Sequence, residues 1–216
     1  MQNINTILIA NRGEIAARII RTCRKMGIKS VAVFSEADRH SLFVEQADMA
    51  VFIGESSPSA SYLDQDKIMA AARKTGADAV HPGYGFLSEN ITFARRCAAE
   101  NIIFIGPNIA AIEAMASKSK AKALMERHGV PVVSGYQGAD QSVATLTAAA
   151  QAIGFPVLLK ATAGGGGKGM RIVEKTEHIT AAIEAAKREA QNAFGDQELI
   201  IEKYIAAGRL IEFQIF

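Results

Sequence analysis

An α/β chain in two parts is what the sequence predicts: a parallel sheet flanked by helices, then a smaller α+β module. Three observations carry this. Strand-like apolar runs alternate with helical stripes over residues 1–105, Gly106-Pro107 breaks that rhythm, and a β-α-β-β-α-β order follows. The boundary is placed after 115, giving segments 1–115 and 116–216.

In the first segment, 6–10 reads as a buried strand and Asn11-Arg12-Gly13 as a tight turn. A helix is predicted over 14–26, with Ile15, Ile19, Cys23 and Met26 on one stripe and Gly27 as its stop. Strands follow at 30–34 and 49–53, with a short helical stretch over 41–47 between them. A helix at 64–74 closes on Gly76, and a short strand covers 78–81. Asn90 then caps a helix bearing Ile91, Phe93, Ala94 and Cys97, ahead of a strand at 102–105. Strands joined through helices require right-handed crossovers, so this segment is expected to be Rossmann-like.

In the second segment, 109–127 reads as helix with an interruption near Ser117, 130–133 as a strand and 134–141 as a polar loop. A further helix ends at 153–154, another covers 177–191, and a strand covers 198–202. The last stretch, 210–216, alternates like a strand and stops without turn or cap, so a longer native chain is expected.

The stretch that points to chemistry is 160–171, where Gly164, Gly165, Gly166 and Gly167 lie between two apolar strands and among Lys160, Lys168 and Arg171. Consecutive glycines can turn backbone N–H groups toward one point and admit an anion without a Cβ in the way. A Walker loop is excluded because Gly169, not Ser or Thr, follows Lys168. The spacing Gly164-x-Gly166-x-x-Gly169 matches the dinucleotide pattern, but a strand follows it where that pattern needs a helix. A flexible linker would not join two apolar strands so tightly. Phosphate is the expected guest.

Composition narrows the rest. The 216 residues are 49% hydrophobic and 21% charged, as in a globular protein, and the net charge of +2 gives no basic field for nucleic acid or a membrane surface. The apolar start at 4–10 is too short for a membrane span and lacks the basic flank of a signal peptide. Cys23 and Cys97 fall on apolar helix faces, which reads as packing in a reducing compartment, the cytoplasm. No Cys/His metal spacing and no Ser–His–Asp order stands out.

On spacing alone Lys118 and Lys120 are a solvated helix face, and Glu202-Lys203-Tyr204-Ile205 is an ordinary strand end. The run 81–90, with His81, Gly83, Tyr84 and Gly85 directly after a strand, lies where ligands meet α/β sheets; its plain reading is a turn and a helix start.

Taken together the motifs resemble the biotin carboxylase component of biotin-dependent carboxylases, in the ATP-grasp superfamily. The match runs through 9–16, 81–90, 104–107, Lys118, Lys160, 164–171, 202–204 and 212–214, in collinear order over essentially the whole chain. Residues 129–133 and 135–142 look most like the alpha subunit of methylcrotonoyl-CoA carboxylase. The resemblance implies an ATP-dependent ligase that uses magnesium-ATP to activate bicarbonate as carboxyphosphate and carboxylates biotin on a carrier domain, with a separate carboxyltransferase and a homo-oligomeric assembly. By that resemblance Lys118, Lys160, Gly165, Gly166, Gly167, Met170, Glu202, Lys203, Tyr204 and Ile205 would contact ATP, and His81, Gly83 and Tyr84 would lie on the biotin side of the cleft.

Two departures qualify it. Gly208-Arg209-Leu210 stands where the family has Pro-Arg-His, and leucine cannot hydrogen-bond a nucleotide. The family's magnesium carboxylates, bicarbonate-binding arginine and catalytic base would all lie beyond Phe216, so these 216 residues by themselves are expected not to carboxylate biotin. The alternatives are another ATP-grasp ligase, or a nucleotide-binding or assembly module without catalysis.

Overall fold

The computed structural model describes residues 3–116, 118–162, 170–209, 211 and 213, with Lys118 described by its backbone alone. Among these the chain divides into two compact units, the second spanning Ala114–Ile211.

The first unit opens with β1 (Thr6–Ile9), fully buried, followed by α1 (Gly13–Met26). Gly27 ends α1 at φ 71°, a left-handed conformation suited to a residue without a Cβ. Then come β2 (Lys29–Ser35), α2 (Leu42–Gln46), β3 (Met49–Gly54), α3 (Gln65–Thr75), β4 (Ala79–His81), α4 (Ile91–Ala99) and β5 (Ile103–Phe104). Asp64 and Asn90 cap α3 and α4 through their side chains. The sheet order is β3-β2-β1-β4-β5, every pair parallel, as the alternation of strand and helix predicts. Apolar clusters cover both faces. One gathers Leu8, Val33, Ile68, Phe93 and Cys97, the other Ile9, Ile20, Cys23, Ala32 and Phe43.

Met26 departs from expectation: it is 66% exposed. The buried stripe of α1 runs through Ala16, Ile19, Ile20 and Cys23. At about 100° per residue, Met26 falls on the flank of that stripe with Ile15.

The second unit holds α5's end (α5, Ile109–Met115), α6 (Lys118–Arg127), β6 (Gly135–Tyr136), α7 (Val143–Ile153), β7 (Val157–Ala161), β8 (Arg171–Val173), α8 (Ile179–Phe194) and β9 (Leu199–Lys203). α5 ends at Met115 and α6 starts at Lys118; Ser117, near which the interruption is expected, lies outside the described residues. Sheet order is β6-β9-β7-β8, each pair antiparallel. Helices α7 and α8 bury Leu146, Ala150, Ile183 and Ala186 against Val157, Leu159, Leu199 and Ile201.

The strand expected at 130–133 is not one. Pro131 has no N–H to give a ladder, and Val130 and Val133 stand 46% and 38% exposed. The pairing falls instead on Gly135 and Tyr136, inside the stretch expected to be loop, opposite Glu202 and Ile201. The helix expected over 177–191 starts later and runs longer, after a single tight turn at Thr176–His178. Of the strand expected at 210–216, only Ile211 and Phe213 are described, and neither is in a strand.

Candidate functional site

In sequence the glycine segment lies between two strands, β7 and β8. Val157, Leu158 and Leu159 of β7 face Val173, Ile172 and Arg171 of β8, so these two strands, consecutive in the chain, pair as an antiparallel hairpin. Residues 163–169, with Gly165, Gly166 and Gly167 among them, lie outside the described residues, as does the side chain of Lys118 at the start of α6. Met170, next to β8, is 51% exposed.

At the root of the hairpin three charged groups meet. Strand alternation sends Val157, Leu159 and Ala161 into the core, which leaves Leu158 and Lys160 on the opposite face. Opposed residues of an antiparallel pair share a face, so Leu158↔Glu202 and Lys160↔Ile200 place Lys160 and Glu202 together. Lys160 Nζ donates to Glu202 Oε2 at 2.5 Å, and Lys122 Nζ of α6 donates to Oε1 at 3.2 Å. Lys122 is buried, with 9% of its side chain exposed against 29% for Lys160. Burial pushes the Glu202 carboxyl up, but its hydrogen bonds to Lys160 and Lys122 win and hold it below the usual carboxylate value. The cluster carries one positive charge in excess at the foot of the glycine segment, which suits an anion.

The residues after Glu202 go elsewhere. Lys203 lies on the other face, and its Nζ donates to the carbonyls of Gly154 (3.0 Å) and Phe155 (2.9 Å). The Tyr204 amide donates to the Pro156 carbonyl at 3.1 Å, and Ile205 is 58% exposed. Lys122 was not singled out by sequence reading. The signal was there in the sequence: it follows the candidate Lys118 by four residues, one helical turn.

In the first unit a loop cluster sits at the carboxyl ends of β1 and β4, where the chain reverses the direction in which strands are added. Asn11, buried after β1, uses its amide Nδ2 to donate to the carbonyls of Pro82 (2.7 Å) and Tyr84 (2.8 Å). Its Oδ1 accepts from the Arg12 amide at 2.8 Å. Gly83 has φ +64°, and a Cβ there would come within 2.9 Å of Asn11 Nδ2, so the close approach demands glycine. His81 Nδ1 accepts from the Gly83 amide at 3.1 Å, and burial pushes the imidazole below its ordinary value. The Tyr84 ring is 49% exposed, and its hydroxyl is hydrogen-bonded to Glu14.

Beneath this loop lies a network that sequence reading missed. Asp38, 3% exposed, accepts from Arg12 Nε (2.6 Å) and Nη2 (2.5 Å) and from the Tyr62 hydroxyl (2.6 Å). The Arg12 guanidinium holds the Asp38 carboxyl below its ordinary value against the opposing effect of burial. Burial and the neighbouring Asp38 push the Tyr62 phenol up to about 12. Tyr62 in turn stacks on Phe86 at 5.3 Å between ring centroids, which anchors the far end of the loop. Among the described residues no group of three or more His, Cys, Asp or Glu could hold a metal ion. No helix among them is long and apolar enough to cross a membrane.

A parallel sheet with a loop cluster at its carboxyl edge, joined to an antiparallel sheet whose hairpin carries a glycine segment, defines an α/β protein of the ATP-grasp class. Residues 3–112 match the family described as biotin carboxylase, N-terminal domain, and 117–216 the family described as carbamoyl-phosphate synthase L chain, ATP binding domain. The chain belongs to the biotin carboxylase N-terminal domain family. It is 53% identical to a mitochondrial methylcrotonoyl-CoA carboxylase subunit alpha of Dictyostelium discoideum, over 99% of this chain and 30% of that relative. The chain thus spans under a third of that relative's length. Among solved structures it is similar to a biotin carboxylase complex with βγ-ATP from Campylobacter jejuni, with a TM-score of 0.87 and 50% identity over 94% of this chain and 46% of that one. It is also similar to the biotin carboxylase domain of a 2-oxoglutarate carboxylase from Hydrogenobacter thermophilus, in complex with MgADP, ADP and bicarbonate. There the TM-score is 0.85 and the identity 46%, over 95% of this chain and 45% of that one.

Proposed function

We propose that this chain is the nucleotide-gripping part of a biotin carboxylase component, acting within a biotin-dependent acyl-CoA carboxylase of the methylcrotonoyl-CoA type. The reaction is the MgATP-dependent carboxylation of carrier-bound biotin with bicarbonate, through carboxyphosphate. The observation that carries the reading is Lys160 at the root of the glycine hairpin, on the sheet face opposite the core and within 2.5 Å of Glu202. The relationship to a biotin carboxylase solved with a nucleotide supports it.

Residues 1–115 serve as the N-terminal Rossmann-like domain, and 116–216 as part of the ATP-grasp domain, with a lid over about 133–204. Lys118 and Lys160 hold the phosphates, and Gly165, Gly166, Gly167 and Met170 belong to the closing hairpin. Glu202, Lys203, Tyr204 and Ile205 line the adenine side. His81, Gly83 and Tyr84 form the biotin side, where the clamp of Asn11 on Pro82 and Tyr84 fixes the loop that bears the phenol. Bound ATP supplies the phosphoryl group that activates bicarbonate. The chain's own part is to neutralise phosphate charge at Lys160 and, on closure, to exclude water from a labile product. Magnesium ligands are not assigned among the described residues.

The partners in this reading are a biotin carboxyl carrier domain, a carboxyltransferase that chooses the acyl-CoA, and further copies of the subunit. The two buried, free thiols support a reducing compartment, which we take to be the cytoplasm. In the full-length protein, Lys160→Ala is expected to weaken ATP binding by calorimetry at least about tenfold, or about 1.4 kcal/mol. It is also expected to abolish bicarbonate-dependent, biotin-stimulated ATP hydrolysis. Unchanged ATP affinity in that variant refutes the assignment. The match of 117–216 to the carbamoyl-phosphate synthase ATP-binding domain favours a second reading, another ATP-grasp ligase. Dependence of hydrolysis on an amine substrate in place of biotin would select it.

A further inference from the structure

Lys122 has no part in the contacts assigned above, yet it is the most buried lysine of the charged cluster. Its side chain is 9% exposed, and its Nζ lies 3.2 Å from Glu202 Oε1 while Lys160 holds Oε2 at 2.5 Å. A buried ammonium group is costly unless it is paired, and Glu202 is the partner Lys122 has in this cluster. The seat is shaped for it: a Cβ on Gly135 would come within 2.7 Å of Lys122 Nζ and 3.1 Å of Glu202 Cγ.

We propose that Lys122 is a positioning residue that keeps Glu202 paired when Lys160 leaves that carboxylate for a phosphate of the nucleotide. This rests on the reading of Lys160 as a phosphate ligand. In the structure one carboxylate serves two ammonium groups, one buried and one partly in solvent. Lys160, with 29% of its side chain exposed against 9% for Lys122, is the one with solvent beside it to move into, and the buried Lys122 stays with Glu202. Were Lys160 the sole partner, its departure would leave a half-buried carboxylate uncompensated, and that cost would oppose binding. Lys122 removes it. The cluster thus lets a lysine pass from carboxylate to phosphate without stranding a charge.

The test is a binding cycle in the full-length protein, with ATP affinity measured by calorimetry and kcat by bicarbonate-dependent ATP hydrolysis. Lys122→Met is expected to raise the Kd for ATP about tenfold and leave kcat little changed, while Lys122→Arg restores affinity. In a Glu202→Gln background the stranded charge no longer exists, so adding Lys122→Met is expected to change the Kd by less than about twofold. Lys122→Gln, which keeps donors but no charge, is read in the same way if the methionine variant does not fold. Native affinity in both uncharged variants overturns the proposal. So does an undiminished loss in the Glu202→Gln background, which would make Lys122 act on the phosphates directly. If Lys160→Ala also binds ATP normally, the reading of Lys160 fails first and this inference falls with it. Weakened binding in Lys160→Ala beside native binding in Lys122→Met sinks the inference alone.

Discussion

Asp38 shows how much chemistry one residue can gather without any local signature. Its carboxylate collects Arg12 and Tyr62, residues 26 and 24 positions away, at the end of the parallel sheet. Because its partners hold the folded carboxyl below its ordinary value, its contribution is full above the unfolded-chain value of about 3.9. That contribution is lost as pH falls through the lower folded value. Asp38→Asn is therefore expected to cost about 2 kcal/mol at neutral pH, the worth of hydrogen bonds to a charged group. The gap to the native chain should narrow in acid, and urea midpoints measured from neutral pH down to about pH 2 check both parts. The sequence could not reveal this network, because its members lie on a strand end, a turn and a loop whose meeting depends on sheet order. By contrast Lys160 and Glu202 were both legible as candidates. Their salt bridge was not, since it follows from the register of β7 on β9.

Elements were legible where apolar periodicity is strong and failed where a neighbour decides. The parallel strands of the first unit and the hairpin of the second read directly from branched apolar runs. The 130–133 run looked equally strand-like, but the ladder passed it over for Gly135 and Tyr136, which sequence reading gave to a loop. Beyond that pairing, the end of the loop is tied to β9 through a side chain. Gln141 Oε1 accepts from the Leu199 amide at 2.9 Å, and its Nε2 donates to the Leu199 carbonyl at 3.2 Å, so it stands in for a strand partner. Gln141→Ala would leave both groups of a fully buried residue unpaired. A loss of about 2 kcal/mol is expected, read in denaturant unfolding, together with faster amide exchange at Leu199.

At the scale of the whole chain, each apolar cluster among the described residues draws on a single unit. In the sequence, Gly106-Pro107 marks a change from helix-spaced strands to a hairpin module, which alters both period and punctuation. What the sequence left open is which interior each cysteine would occupy. Both belong to the first unit, Cys23 on one side of the parallel sheet and Cys97 on the other, at 2% and 0% exposed. Burial pushes both thiols up, Cys97 to about 12, so neither supplies a ready nucleophile at neutral pH.

That placement gives the chain a built-in clock. A colourless disulfide reagent added to the folded 216-residue chain should release its chromophore only as fast as the parallel-sheet half opens, because the other half of these residues contributes no sulfhydryl to the signal. Slow, matching kinetics for the two sulfurs would mean that both sides of that sheet come apart in one event. An early burst from Cys23 alone would mean that the α1 side lifts off first.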